Sequence, residues 1–177
     1  MRNESKNIFL IGMMGSWKST VGRELAISLD LKFIDTDDEI EESTEQSIVD
    51  IFKQRGETQF RKMETAYFIE KSQQPGFVIS TGGGIVAMEA NRNALKNNGI
   101  TIFLKASPET LSYRIKNTDK RPLLHGNDAL FQLSSIWKER KVFYEASAHL
   151  TIETDRLNPA QVLDVIIKKL ENNDEFD

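Results

Sequence analysis

A glycine-bounded loop between two apolar segments constrains this chain more strongly than any other feature. Residues 12–19 read Gly-Met-Met-Gly-Ser-Trp-Lys-Ser. A short apolar run precedes them, and apolar side chains recur every fourth position over residues 19–29, as in a helix. A strand, a glycine loop, a Lys-Ser pair and a helix in this order are typical of a P-loop, which binds the phosphates of ATP or GTP. The alternative is a glycine turn that leads into an ordinary helix.

The P-loop interpretation gives two side chains a role and leaves one residue out of place. Backbone N–H groups and the positive end of the helix would hold phosphate. Lys18 would reach the outer phosphates, and Ser19 would ligate Mg²⁺. The pattern requires glycine directly before the lysine, and this chain has Trp17 there. An indole at this position must either point away or fill the phosphate space. A loss of about 2–4 kcal/mol would weaken ATP binding by roughly 30- to 1,000-fold.

Length and composition exclude several classes of function. The chain has 177 residues, which predicts one domain over residues 1–177. A net charge of −4 argues against a nucleic-acid surface, which needs a basic face. With no cysteine and only two histidines, disulfides, thiol catalysis and histidine-based metal sites are excluded. We find neither a signal-peptide pattern nor a run near the roughly 20 apolar residues of a membrane span, so we expect a cytoplasmic protein.

Short apolar runs alternate with helix-like segments along the chain. The predicted strands are residues 7–11, 32–34, 77–80, 100–104 and 150–152. The predicted helices are residues 19–29, 47–72 with an interruption at Gly56, 89–96, 107–115, 129–146 and 158–170. This alternation predicts a three-layer α/β fold, in which helices cover both faces of a five-stranded parallel sheet. Residues 117–128 lack periodicity and are predicted to be a mobile loop, and residues 171–177 a frayed acidic tail.

Candidate site residues follow two further predicted strands, and ligands bind at the carboxyl ends of the strands in such sheets. Asp35 and Asp37 follow the second strand. One carboxylate can hold Mg²⁺ through water while the other accepts or orients a hydroxyl proton, but capping of the next helix is the alternative. Gly82, Gly83 and Gly84 follow the third strand. They let the backbone approach a ligand, unless they form only a flexible turn.

Three arginines are candidates for binding anionic groups. Arg61 has Glu64 three residues further along the same predicted helix, which can fix its guanidinium for bidentate contact with a carboxylate. Without further context, an ordinary surface ion pair is the better interpretation of these two residues. Arg121 lies in the predicted loop, and Arg140 lies in the helix after it. Either is solvated surface charge, or a loop arginine closes over ATP and stabilises charge on the moving phosphoryl group.

Taken together, these motifs resemble the shikimate kinase family along nearly the whole chain. The matching residues are 10–15 with Lys18, Ser19 and Thr20; 33–37 with Ile40 and Glu41; Gly56, Glu57, Phe60, Arg61 and Glu64; 80–84; 121–124; Arg140 with Tyr144; and Asn158 with Pro159. Their order and spacing carry the resemblance, rather than any one motif. It implies the nucleoside-monophosphate-kinase type of P-loop fold, and transfer of the ATP γ-phosphate to the 3-hydroxyl of shikimate, a step towards chorismate and the aromatic amino acids.

The resemblance also implies roles for individual residues, and we expect a monomer that binds ATP and shikimate. The catalytic set would be Lys18, Asp37 and Arg121. The ATP site would comprise Gly12, Gly15, Ser16, Trp17, Lys18, Ser19, Thr20, Arg114, Arg121, Asn158 and Pro159, with Arg114 and the Asn158-Pro159 segment beside adenine. Shikimate would be bound by Asp37, Arg61, Gly82, Gly83, Gly84 and Arg140, with both arginines on its carboxylate. Ser19 and Asp35 would serve Mg²⁺, and residues 117–128 would form the lid.

Trp17 departs from the family pattern, which has glycine at this position. Three explanations stay open: the loop tolerates an outward-turned ring, the protein is a weak or inactive relative, or the tryptophan is a recent substitution that arose by one base change. The otherwise intact site favours the last.

Two other functions also stay open. One is a kinase for another small hydroxylated acid such as gluconate, against which Arg61, Arg140 and the triple glycine argue. The other is a non-catalytic protein that binds shikimate or a nucleotide.

Overall fold

Five parallel strands flanked by helices form the described part of the molecule. The structure, a computed structural model, describes residues 6–115 and 129–172. Its strands are β1 (Asn7–Ile11), β2 (Lys32–Asp35), β3 (Phe77–Ser80), β4 (Gly99–Lys105) and β5 (Leu150–Glu153). Its helices are α1 (Lys18–Leu29), α2 (Thr36–Thr44), α3 (Ile48–Ser72), α4 (Glu89–Asn97), α5 (Pro108–Ile115), α6 (Ala129–Ser147) and α7 (Pro159–Glu171). The predicted α/β class with its five-stranded parallel sheet is confirmed.

The order of the strands brings the predicted site residues to one edge of the sheet. The order is β2-β3-β1-β4-β5, and every neighbouring pair is parallel. Ser80 is in register with Leu10 on one side and with Asp35 on the other. The segments that follow β1, β3 and β2 therefore leave the sheet at the same level. The glycine loop after β1 lies between the site residues on β2 and β3 and the ends of β4 and β5.

Alternate side chains of β1 enter two different apolar cores. All five residues of β1 are buried. Phe9 and Ile11 pack in the core that includes residues of α3, α4 and α6. Ile8 and Leu10 pack in the core that includes residues of α1 and α7. A third and smaller cluster of Ile40, Ile51 and Phe60 joins α2 to α3. The strand that carries the glycine loop is thus fixed from both faces.

The long helix α3 changes direction at Gly56, where the sequence predicts an interruption. Gly56 has φ 77° and ψ 165°, outside the helical region, and helix continues on both sides. Glycine suits this position because side chains disfavour positive φ. The part of α3 before Gly56 packs against α2, and the part after it carries Arg61 and Glu64 towards the sheet.

Every predicted strand and helix end lies within one residue of the observed end, a difference that fraying of helix and strand ends leads us to expect. A 3-10 turn at Ile85–Ala87 was not predicted. The predicted loop 117–128 and residues 173–177 of the predicted tail lie outside the described residues, while Glu171 still belongs to α7. Within residues 6–115 and 129–172, none of the helices has the length and apolar character that crossing a membrane requires. The single-domain organisation stays a prediction.

Candidate active site

Most of the predicted site residues line one cavity at the carboxyl edge of the sheet. The cavity has a volume of about 790 Å³, within the roughly 300–1,000 Å³ typical of small-molecule sites. Its wall includes, from the predicted set, Gly15, Trp17, Lys18, Ser19, Thr20, Asp35, Asp37, Arg61, Gly82, Gly83, Gly84, Arg114 and Arg140. The glycine loop and the arginines thus face the same space, which is large enough to bring two ligands together.

The glycine loop is closed around the ammonium group of Lys18. Gly12 and Gly15 have φ angles of 145° and 79°, which side chains rarely adopt. Lys18 Nζ donates to the carbonyl oxygen of Met13 at 2.9 Å and to Ser16 Oγ at 3.4 Å. Ser16 and Lys18 are buried. These contacts hold a positive charge at the N-terminus of α1, where backbone N–H groups already favour an anion.

Trp17 is in the left-handed backbone region, with φ 67° and ψ 19°. This region costs most residues other than glycine roughly 1–2 kcal/mol. The indole lies over the guanidinium of Arg114, with Arg114 Cζ 3.5 Å from the ring centroid. It also packs against the apolar cluster between the sheet, α1 and α7. The ring is therefore turned towards α5 and lies in the cavity wall, and which of the three explanations of Trp17 holds stays open.

The residue under the indole is itself held in place by the end of β5. Arg114 Nη1 donates to Thr154 Oγ1 at 3.1 Å, and Nη2 donates to the Thr154 carbonyl oxygen at 2.6 Å. Burial lowers the pKa of Arg114, while the charge of Asp155 opposes this shift. Since a guanidinium starts from a very high pKa, Arg114 stays cationic. The result is a flat, fixed cation with an aromatic ring on its face.

Ser19 and Asp35 meet beside the N-terminus of α1. The Ser19 hydroxyl donates to Asp35 Oδ2 at 2.5 Å and lies 3.3 Å from Ser80 Oγ. The other carboxylate oxygen, Asp35 Oδ1, accepts from the backbone N–H of Asp37 at 3.1 Å and caps α2. Asp35 therefore performs the capping that the sequence left as an alternative, and it also presents an oxygen to the glycine loop.

Arg61 and Glu64 form a buried ion pair in the cavity wall. Arg61 Nη1 donates to Glu64 Oε2 at 2.8 Å, while Nε and Nη2 donate to Glu57 Oε1 at 3.3 and 3.1 Å. Glu64 is 0% exposed and Arg61 is 8% exposed, so this is not an ordinary surface ion pair. Burial raises the pKa of Glu64, although Arg61 and Arg140 oppose it. Burial lowers the pKa of Arg61, but both glutamates outweigh it, and the net shift is upward.

Two of the three consecutive glycines are packed directly against charged side chains. A Cβ atom on Gly84 would overlap the guanidinium of Arg61. A Cβ atom on Gly82 would overlap Glu64 Oε1 and lie 2.8 Å from Asp37 Oδ1. Gly82 and Gly84 thus have to lack side chains in order to pack against the Arg61–Glu64 pair. The glycine segment is therefore more than a flexible turn.

Helix α6 binds the carbonyl group of the middle glycine. Arg140 Nη1 donates to the Gly83 oxygen at 3.1 Å, and the Tyr144 hydroxyl donates to the same oxygen. Tyr144 is fully buried and its ring stacks on Phe103 with 5.0 Å between centroids. Burial raises the pKa of Tyr144 to about 12, so its hydroxyl keeps its proton at neutral pH. These bonds place the head of Arg140 beside the glycine segment.

Comparisons with known proteins show the family of this chain. A family model for shikimate kinase matches residues 14–171. The chain belongs to the shikimate kinase family. Among curated relatives, a shikimate kinase of Legionella pneumophila (strain Corby) is 44% identical over 165 residues, which are 93% of this chain and 94% of that protein. A shikimate kinase of Sulfurihydrogenibium sp. (strain YO3AOP1) is 41% identical over 93% of this chain and 98% of that protein.

Solved structures of shikimate kinases have the same fold as this chain. The shikimate kinase from Acinetobacter baumannii in complex with shikimate superposes with a TM-score of 0.92 at 36% identity, covering 96% of this chain and 94% of that one. The fold is therefore the P-loop kinase fold implied by the sequence. A gluconokinase from Sinorhizobium meliloti 1021 has a TM-score of 0.58 at 16% identity, a likeness that concerns the fold alone.

Some of the predicted site residues are not in the cavity wall, or are not described. Asn158 and Pro159 begin α7, where Asn158 Oδ1 accepts from the Gln161 N–H at 2.9 Å. Among the described residues, the wall includes neither of them, nor Gly12 or Ser16 of the glycine loop. Arg121 lies outside the described residues. The roles of these residues in binding nucleotide stay predictions.

Three residues of the site had no assigned role in the sequence analysis. Thr36 Oγ1 accepts from the Gly82 N–H at 3.0 Å, Glu57 accepts two bonds from Arg61, and Tyr144 binds Gly83. The spacing of four residues between Glu57 and Arg61 on one helix was the available signal. Thr36 and Tyr144 are among the residues that carry the family resemblance, but their contacts had no local signal because their partners are 46 and 61 positions away in the chain.

Replacing Tyr144 by phenylalanine is expected to lower the free energy of unfolding by about 0.5–1.5 kcal/mol, the usual net value of one hydrogen bond. Arg140 still binds the Gly83 carbonyl, so the site loses one of two anchors. We therefore expect a several-fold rise in KM for shikimate with little change in kcat. Urea denaturation and steady-state kinetics measure both effects. Unchanged stability and unchanged KM would show that the hydroxyl does not position the glycine segment.

Proposed function

We propose that this chain transfers the γ-phosphate of ATP to the 3-hydroxyl of shikimate, a reaction that leads towards chorismate. The observation that carries the proposal is one cavity in which a P-loop faces the half-buried Arg140 and Arg61, which is buried and packed against Gly84. Membership of the shikimate kinase family supports the same reaction. The cytoplasmic location and the monomeric state stay predictions.

The acid substrate would be bound at the β2–β3 side of the cavity. Arg61 and Arg140 supply the positive charge for a carboxylate, and bidentate guanidinium contacts suit its planar shape. Arg61 is oriented by Glu64 and Glu57 before any ligand arrives. Such preorganisation saves the entropy of fixing a long side chain on binding. Asp37, across from Gly82, would accept hydrogen bonds from the substrate hydroxyl groups.

The phosphates would be bound at the N-terminus of α1. The backbone N–H groups of the loop and the Lys18 ammonium would neutralise their charge. Ser19 and Asp35 fit a magnesium site, because Mg²⁺ prefers oxygen ligands such as hydroxyl and carboxylate groups. In nucleotide sites Mg²⁺ binds one or two protein side chains together with phosphate oxygens. Bound Mg²⁺ would supply charge neutralisation at the phosphate oxygens.

The chemical step needs an oriented hydroxyl and a stabilised leaving group. The 3-hydroxyl oxygen bonds to the γ-phosphorus while the bond from that phosphorus to the β–γ bridging oxygen breaks, and ADP leaves. Asp37 accepts the hydrogen bond of this hydroxyl and is the group placed to receive its proton. Lys18 stabilises the charge that develops on the phosphates, and Arg121 is proposed to act with it.

An assay of ADP release tests the proposal. We expect shikimate-dependent turnover, and we expect Trp17→Gly to raise it at low ATP concentration, because glycine removes both the backbone strain and the indole. Reactions without shikimate, and with gluconate in its place, are the controls. If Trp17→Gly releases no ADP in response to shikimate, the proposed substrate is wrong. Turnover with gluconate instead would support the alternative hydroxy-acid kinase.

The conformation of Trp17 favours one second candidate, a chain that binds shikimate but little ATP. Calorimetry with shikimate and with ATP distinguishes this candidate from an active kinase. Shikimate binding without ATP binding by the unaltered chain would support the second candidate, and ATP binding of ordinary strength would exclude it.

A further inference from the structure

Trp17 and Arg114 bring together two chain segments that are far apart in the sequence. The indole belongs to the residue before Lys18 in the glycine loop, and the guanidinium belongs to α5. Arg114 Cζ lies over the indole, 3.5 Å from the ring centroid, which is van der Waals contact. Both side chains also line the cavity. The contact therefore lies inside the ligand site rather than on a remote surface.

Arg114 provides a planar surface of the kind that a nucleotide base stacks on. Two hydrogen bonds to Thr154 fix the plane of its guanidinium, and Thr154 is fully buried. A fixed guanidinium plane stacks well on aromatic rings, nucleotide bases included. In this structure the stacked ring is the protein's own indole.

The topology places the base of a bound nucleotide on this side of the cavity. Lys18 and Ser19 fix the position of the phosphates at the N-terminus of α1. The acid-binding residues lie beyond β3 and β2, on one side of β1. The γ-phosphate must face them, so the base extends to the other side, towards β4 and β5. Arg114 follows β4 along the chain, and its partner Thr154 directly follows β5.

The phosphate-binding turn is formed although the indole lies next to it. The Ser16 N–H still donates to the Met13 carbonyl at 3.3 Å, and Lys18 Nζ donates to the same oxygen at 2.9 Å. The first turn of α1 is also intact, since the Val21 N–H donates to the Trp17 carbonyl at 2.8 Å. The loop thus keeps its turn and its hydrogen bonds while the indole lies on Arg114.

We propose that Trp17 occupies the base-binding face of Arg114, so that a nucleotide must displace the indole, and that Trp17 weakens binding of the base rather than of the phosphates. The inference rests on the proposed function only in that the loop binds the phosphates of ATP. It makes Trp17 a determinant of nucleotide recognition. The affinity lost through the tryptophan then depends on whether the ligand carries a base.

Binding of ATP and of inorganic tripolyphosphate, each with Mg²⁺, tests this directly by calorimetry. Tripolyphosphate has the phosphates without the base. For Trp17→Gly we expect ATP to bind at least roughly tenfold more tightly than to the unaltered chain, while tripolyphosphate affinity changes little. Trp17→Asn is the matched variant, because asparagine tolerates the left-handed region without a ring, and it should behave in the same way. Trp17→Phe, which keeps a ring, should retain the weak ATP binding.

Two results would overturn the proposal. If ATP and tripolyphosphate gain affinity in parallel, the tryptophan obstructs the phosphates. If neither Trp17→Gly nor Trp17→Asn binds ATP more tightly than the unaltered chain does, the indole does not obstruct ATP binding. Both results are independent of shikimate, whereas the proposed function fails if Trp17→Gly shows no shikimate-dependent turnover, so the two failures are distinguishable.

Tryptophan fluorescence supplies a second readout, measured on a variant in which Trp17 is the single tryptophan. Trp137→Phe removes the other indole, which lies 6.1 Å from the Phe103 ring on the far side of the sheet from α1. We expect ATP to shift the Trp17 emission as the ring leaves Arg114, and tripolyphosphate to leave it unchanged. Equal responses to both ligands, or no response to saturating ATP, would contradict the displacement.

Discussion

Replacing Asp37 by asparagine is expected to lower kcat by about 10²–10⁴, the range typical of a lost general base or acid. Asp37 lies in the first turn of α2, and its Oδ1 faces Gly82 inside the cavity wall. Asparagine has nearly the same shape and can still meet a hydroxyl, but it cannot accept the proton of that hydroxyl. Binding of both substrates should therefore change less than turnover does.

Asp38 offers a matched control on the same turn of α2. Its side chain is exposed and pairs with Arg23 at 3.3 Å. We expect Asp38→Asn to leave kcat nearly unchanged. Steady-state kinetics of both variants with varied shikimate give the comparison. Equal losses in the two variants, or a larger loss at position 38, would remove Asp37 from its proposed role.

Replacing Gly84 by alanine is expected to raise KM for shikimate by about two orders of magnitude, equivalent to about 2.7 kcal/mol. The new methyl group would overlap the Arg61 guanidinium. Arg61 cannot simply move aside, because Glu64 and Glu57 hold it on two sides. Moving it would leave Glu64 buried with its main counter-charge displaced, which is strongly unfavourable. Shikimate affinity should fall while the ATP site keeps its structure.

The neighbouring glycine provides the control for this steric argument. A Cβ atom on Gly83 would come no closer than 3.5 Å to another residue, the Met14 backbone nitrogen. Gly83→Ala should therefore keep shikimate affinity within a few-fold of the unaltered chain. Calorimetry with shikimate, together with urea denaturation of each variant, separates local misplacement of Arg61 from general destabilisation. Comparable affinities for the two alanine variants would show that close packing at position 84 is not required.

The fold was predictable because local patterns and the global topology agree. Each strand is a short apolar run that ends at a turn residue or a polar residue, and the helices between the strands carry their own start signals. Pro108 and the Asn158-Pro159 pair are examples. Alternation of strands and helices then leaves few arrangements other than a parallel sheet. Local patterns do not determine the order β2-β3-β1-β4-β5, since it depends on contacts between distant segments.

The candidate site was predictable in outline for the same reason, since its residues follow adjacent strands. Three features depend on tertiary contacts that the sequence does not reveal. The stacking of Trp17 on Arg114 depends on a backbone angle and on the position of α5. The burial of the Arg61–Glu64 pair depends on the close approach of Gly82 and Gly84. The anchoring of the Gly83 carbonyl depends on the packing of α6 against the glycine segment. Without those contacts, a surface ion pair was the better interpretation of Arg61 and Glu64.

The division of β1 between two cores has a consequence for insertions and deletions. Phe9 and Ile11 belong to one core, and Ile8 and Leu10 belong to the other. Adding or removing one residue in the strand would turn every later side chain to the opposite face, and the glycine loop would leave the sheet one position out of register. The length of β1 is therefore as tightly constrained as the residues that touch phosphate, although none of its side chains need ever meet a ligand.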